Sequence, residues 1–137
     1  MQPIVKAAIL CDYAMTSQDG KLSLVGIFSS MHLQSLPGAY PRFFVVFILA
    51  LEAGQHDVQI GILDPAGQQM LPNPPSIPVH QTYPGADTNL VVDFSGLMFQ
   101  RAGIHQIQLL VGGEYIHSIP LSVGVAPEQS EAVSRPN

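Results

Sequence analysis

Formal charge is what this sequence lacks most. Five basic and ten acidic residues make up 11% of 137, against roughly 25% in an average soluble domain. Twelve of these fifteen precede Ala126. A folded monomer of this size exposes about 6,900 Å², or roughly 575 Å² for each of those twelve charges. The expectation is that another protein surface covers part of the apolar remainder.

Other absences narrow the classes further. Lys6, Lys21, Arg42, Arg101 and Arg135 are scattered, so no basic stripe is available to neutralise a phosphate backbone, and nucleic acid is not an expected partner. The single cysteine, Cys11, cannot form an internal disulfide, which suits a reducing compartment. Lys6 precedes only five apolar or thiol residues before Asp12, too few for the apolar region of a signal peptide. The longest fully apolar run, residues 43–51, has nine residues against the ~20 of a membrane helix. A cytoplasmic protein with no membrane partner is expected.

Helical periodicity is also missing, and twelve glycines and twelve prolines punctuate the chain. What is present is a series of apolar stretches of strand length separated by turn chemistry. Strands are expected at residues 4–15, 21–32, 42–52, 56–63, 88–99, 105–111 and 115–125. Gly26 inside the second marks a bulge or a close backbone approach, and Gly96 interrupts a later one. Four prolines make residues 71–78 an extended connector that no sheet interior would accept. The fold class is all-β, an immunoglobulin-like antiparallel β-sandwich of about seven or eight strands. It occupies one domain over residues 1–125, followed by a polar C-terminal tail at 126–137.

Two segments carry sharper arguments. Residues 43–51 have no polar face, so both faces must be covered. The opposing sheet covers one, and a second chain or the Pro-rich loop is expected to cover the other. In the last hairpin the odd positions Tyr115, His117, Ile119, Leu121 and Val123 face inward, as do His105, Ile107, Leu109 and Val111. Facing residues must share a side, so paired numbers sum to 226, Val111 meets Tyr115, and Gly112-Gly113-Glu114 form a three-residue loop.

The hairpin through Ala102-Gly103-Ile104-His105 and Ile119-Pro120-Leu121 resembles the final two strands of filamin-type immunoglobulin-like domains, with His105 where an aromatic is usual. Leu10-Cys11-Asp12-Tyr13-Ala14, Asp19-Gly20-Lys21-Leu22-Ser23, Gly26-Ile27-Phe28 and Tyr40-Pro41-Arg42-Phe43 are together similar to a family of small bacterial β-sandwich proteins known only as a domain of unknown function. That resemblance implies a fold and a bacterial origin, and it supplies no catalytic residues.

Candidate chemistry is sparse. His32, His56, His80, His105 and His117 are not at zinc-motif spacing, and no nucleophile elbow, phosphate loop or dinucleotide fingerprint occurs. No catalytic, metal or cofactor site is expected. Cys11 reads as a buried inert thiol. Asp12 and His117 form the possible polar site. Asp12 is expected to cap backbone amides or pair with Arg42, and His117, if it lies at a subunit contact, would make that contact acid-sensitive.

The functional expectation is a non-catalytic, self-associating interaction module, a homodimer. Its surface would draw on Phe43, Phe44 and Phe47, with Tyr40, Arg42 and Tyr83 at the rim. Residues 22–41 contain no formal charge, which makes the second strand and its loop the first surface to suspect. A peptide or small-molecule pocket is the alternative reading, and a hydrolase the third.

Overall fold

The computed structural model describes residues 2–84 and 86–127; the expected tail from 128 onward lies outside the described residues. They form nine strands and no helix: β1 Ile4–Thr16, β2 Leu22–Phe28, β3 Ser30–Leu33, β4 Gly38–Ala50, β5 Gly54–Leu63, β6 Ser76–Gln81, β7 Asp87–Phe99, β8 Gly103–Val111 and β9 Glu114–Val125. Two sheets pack face to face, one in the order β2-β1-β4-β7 and the other β3-β9-β8-β5-β6. Alternation on the inner faces builds one core. Phe43, Val45, Phe47 and Leu49 of β4 meet Ile60, Ile107, Leu109 and Leu121 of the opposing sheet, all fully buried.

The all-β reading holds, with more strands than expected, and each surplus strand has a physical reason. The expected second strand is two. β2 ends at Phe28, the chain changes sheets at Ser29, and β3 runs parallel to β9. β6 lies partly within the Pro-rich connector and includes Pro78, but pairs only with β5. Its outer edge is free, so the missing N–H of Pro78 breaks no ladder on that side. β4 begins before Pro41, because β1 pairs with β4 only as far as Cys11↔Phe44 and leaves the Pro41 stretch without a neighbour there.

The last hairpin is a partial correction. Pairs from Gly103↔Val123 to Leu109↔His117 sum to 226 as expected, but the register then shifts to Leu110↔Tyr115 and Val111↔Glu114. Ile116 is the extra residue of a β-bulge. The loop is the two-residue Gly112-Gly113, both at positive φ (61° and 81°), as a tight hairpin turn requires. The bulge absorbs the odd residue, so the short loop leaves the inward set at 117–123 in place and turns Tyr115 out to solvent.

The outer face of β4 is covered by this chain itself, which overturns the expectation of a second chain or the Pro-rich loop. Phe44 and Val46, on the opposite side of β4 from the core, are 5% and 0% exposed. They cluster with Cys11 and Ala14, flanked by Ile9, Leu22, Leu24 and Val91. Continued straight, the nine residues from Cys11 to Gly20 would carry the β1–β2 tip roughly 30 Å past Phe44. Instead Gly20 O accepts a hydrogen bond from Asn89 Nδ2 at 3.4 Å, and Asn89 pairs with Ile48, four positions back along β4. The hairpin therefore folds over the outer face and forms a third layer at this point.

A kink shared by both strands makes the fold-back. Gly26 has φ +70°, and a Cβ there would lie 2.8 Å from Asp12 Cγ and closer still to its Oδ2. On the core side of this point Leu10 and Phe28 face the sandwich; past it Ala14, Leu22 and Leu24 face the outer cluster. Pro41 and Gly96 (φ +67°) occupy facing positions at the same end of the sheet. There Tyr40 and Leu97 turn toward the core.

Gly26→Ala combines a left-handed backbone cost of about 1–2 kcal/mol with a collision against Asp12. Urea denaturation should show a loss of at least about 2 kcal/mol. Asp12→Ala in the same chain should restore only the steric part.

Candidate interaction surface

The residues expected to form an interaction surface do not form one. Phe43 and Phe47 point into the sandwich and are 0% exposed, and they are core because strand alternation puts them on the inner face. Phe44, on the outer face, is closed off by the Tyr13 ring edge (centroids 5.4 Å apart) and by the Arg42 guanidinium 4.9 Å above its ring. Tyr40 packs on Phe28 and Phe43. Tyr83 is exposed, but it precedes β7, whereas Arg42 faces Ser95 well along that strand. These rim residues therefore lie at opposite ends of the sheet.

The possible polar site is likewise dispersed. Arg42 does not reach Asp12. Its Nη2 donates to Asp93 Oδ2 at 2.8 Å and its Nε to both carboxylate oxygens at 3.1 Å. That bond is the main reason Asp93 is held below the usual carboxylate range. Asp12 lies over Gly26, and its charge adds to burial in raising the Tyr40 phenol. His117 belongs to the other sheet, half buried, with its ring edge-on to Phe47 at 6.5 Å. Cys11 is fully buried and its pKa is raised, chiefly by desolvation, which makes the thiol unreactive. Among the described residues no three His, Cys, Asp or Glu side chains approach closely enough to hold a metal ion.

What the surface does present is apolar. Tyr13 and Met15 of β1 are each 47% exposed, and Val25 and Ile27 of β2 are 61% and 66% exposed. Val25 is paired with Tyr13 and Ile27 with Cys11, so the four form a stripe along the elbow. β2 is also a free sheet edge. Exposed edges are normally blunted by charge, proline or brevity. Among the described residues β6 carries Pro78, β7 carries Asp87 and Asp93, and β3 has four residues; β2 has seven residues and neither charge nor proline. The uncharged run 22–41 pointed to this segment. The sidedness that exposes Val25 depends on the kink at Gly26 and was not readable.

A cleft of about 820 Å³ lies elsewhere, between the Pro-rich loop and the free edge of β7. It is lined by Met70, Leu71, Pro72 and Pro75 on one wall and by Phe94 and Met98 on the other. Near its Asp64 end the turn Asp64-Pro65-Ala66-Gly67 is tied by Asp64 Oδ1, which accepts from Ala66 N and Gln68 N at 2.9 Å.

His105 is the one inward histidine with no exposure. Its Nδ1 lies 3.1 Å from Gly103 O and its ring is edge-on to Phe99, while Nε2 has no partner. Burial lowers its pKa below 6.5, against opposing pulls from Gly103 O and the Asp64 charge. With the folded pKa depressed, the unfolded chain binds the proton more readily. This contribution to stability is therefore complete above about pH 6.5 and is lost as pH falls through the window below it. Denaturant midpoints measured down this window should fall for the native chain. His105→Phe should flatten that slope at little cost near neutrality, since it removes an unsatisfied buried nitrogen.

Comparison with known proteins adds membership and fold. No curated protein matches the sequence. Among solved structures, a crystal structure of β-glucosidase from Listeria innocua is similar at 12% identity and TM-score 0.51, covering 91% of this chain and 16% of that one. An alkylpurine DNA glycosylase, AlkC, from Pseudomonas fluorescens, bound to DNA with an abasic site analog, reaches 14% identity and TM-score 0.47 over 86% of this chain and 30% of its own. The chain thus spans under a third of either enzyme, and the β-glucosidase likeness concerns the fold alone. A family model matches residues 6–124, nearly the whole described sandwich, and the chain belongs to that family, DUF6941, a family of unknown function.

Proposed function

We propose that this chain is a non-catalytic protein-interaction module whose binding surface is the stripe of Tyr13, Met15, Val25 and Ile27 along the β1–β2 elbow. The observation that carries the reading is the coincidence of an edge strand without charge or proline with exposed β-branched side chains. The groups that could do chemistry are dispersed or engaged: Cys11 is buried, Asp93 is paired with Arg42, and Asp64 caps its own turn. The strand order supports an immunoglobulin-like assignment, with the chain passing between sheets after β2, β3, β4, β6 and β7. The same reading places the protein in the cytoplasm, where a lone buried thiol stays reduced.

A peptide or small-molecule site is the second reading. It is favoured by the cleft beside β7, whose size falls within the usual range of ligand sites.

Within the stripe Tyr13 also packs on Phe44, whereas Val25 and Ile27 belong to neither core cluster. Val25→Lys with Ile27→Lys should therefore leave the unfolding free energy of dilute protein within about 0.5 kcal/mol of the parent. A loss of more than about 1.5 kcal/mol, the scale of a buried aliphatic side chain, would assign the stripe to the fold and remove this reading.

A further inference from the structure

We infer that the partner of this surface is a second copy of the same chain, docked β2 against β2 in antiparallel sense about a two-fold axis. The inference rests on the interaction-module reading above and names its partner.

Charge is the first argument. The chain carries a net charge of −5, so two copies repel wherever acidic surface meets itself. Residues 22–41 hold no formal charge, and a two-fold contact centred on β2 brings that neutral segment against its own image, the one charge beside its middle being the exposed Asp12 carboxylate over Gly26. The nearest flanking ion pair, Lys21 Nζ with Asp19 Oδ2 at 3.7 Å, is itself balanced.

Backbone chemistry is the second. A free antiparallel edge offers alternating N–H and C=O groups, and an identical strand turned by 180° offers their complement; on β2 the regular stretch is Leu22–Val25, up to the kink at Gly26. The two β1–β2 hairpins would join across the axis as a four-stranded layer, β1-β2 meeting the partner's β2-β1. Facing residues share a side, so the exposed set containing Ser23 and Val25 meets the same set of the other copy. Tyr13 and Met15 lie behind it on the same stripe.

Closure is the third. The sheet's other edge, β7, carries Asp87 and Asp93, which discourages further strand addition, so the assembly ends at two chains. A seven-residue edge with four flanking side chains belongs to the small class of interfaces, below roughly 1,200 Å² in total. The dimer is therefore reversible and concentration-dependent.

Sedimentation equilibrium on the full chain, from low micromolar to several hundred micromolar, tests this. The expected result is a mass rising from one chain toward two and no further. Val25→Lys with Ile27→Lys, which places like charges across the axis, should raise the dissociation constant by at least about tenfold. Tyr115→Lys, on an exposed aromatic of the other sheet, should behave as the parent. A parent that keeps the mass of one chain throughout overturns the second copy as partner. So does a double variant that associates normally, a control that also dissociates, or growth beyond two chains. If the double variant's stability is unchanged while the parent stays monomeric, the interaction surface stands and only its partner is wrong. If the variant is strongly destabilised, the interaction reading itself fails.

Discussion

One strand with two apolar faces sets the terms for the rest of this molecule. β4 must be buried above and below, because Phe43, Val45 and Phe47 point one way and Phe44 and Val46 the other. A two-layer sandwich satisfies only the first set. The solution is local: the β1–β2 hairpin, already paired to β4 through β1, leaves the sheet after Cys11 and returns across its outer face. Coverage within the chain needs no partner, and the cluster around Val46 is as dry as the main core. The same movement has a second consequence. By turning Ala14, Leu22 and Leu24 inward, the hairpin turns Tyr13, Met15 and Val25 outward, and strand alternation allows no other arrangement.

The fold-back depends on one backbone conformation. Gly26 supplies the positive φ, and it also leaves room for the Asp12 carboxylate directly above it. Asp12 is unusual because the sequence places a carboxylate in the middle of an apolar strand, where it invites a functional explanation. Its position is explained by the kink: at the elbow the two strands are neither in the sandwich nor yet on the outer face, so the carboxylate reaches solvent from the middle of a strand. Pro41 and Gly96 face one another across β4 and β7, whose register runs unbroken from Gly38↔Phe99 to Ala50↔Asp87.

Much of the architecture was legible because it depends on residue-by-residue alternation and turn chemistry. The strand class, the inward set of β8 and β9, the buried His105 and the suspicion attached to Gly26 and Gly96 all follow from period two and from glycine's conformational range. What was not legible has a common cause. Alternation says which residues share a side, but not what lies beyond that side. Phe43 to Phe47 look like a sticky surface until the hairpin is seen to lie across it. Likewise the parity rule excluded a two-residue Gly112-Gly113 loop until the bulge at Ile116 supplied the missing residue. Bulges and kinks preserve the burial pattern at the expense of the count, and a sequence carries the count alone.

The scarcity of charge has a more specific meaning once the outer layer is in place. The cluster around Val46 accounts for some of the apolar excess inside the chain, so composition alone no longer demands a partner. Only surface that stays apolar after folding does, and that surface is confined to the elbow and a few scattered positions such as Ile104, Tyr115 and Val125. Ile104, Tyr115 and Val125 lie on the five-stranded sheet, whereas Ile4 and Met98 lie on the four-stranded one, Met98 on its edge strand β7. At the elbow several exposed apolar side chains adjoin an edge strand that carries no charge. A side-chain patch gives adhesion without register, and an open ladder gives register without much adhesion. Specific association between sandwiches needs both, and β2 is where this chain presents them together.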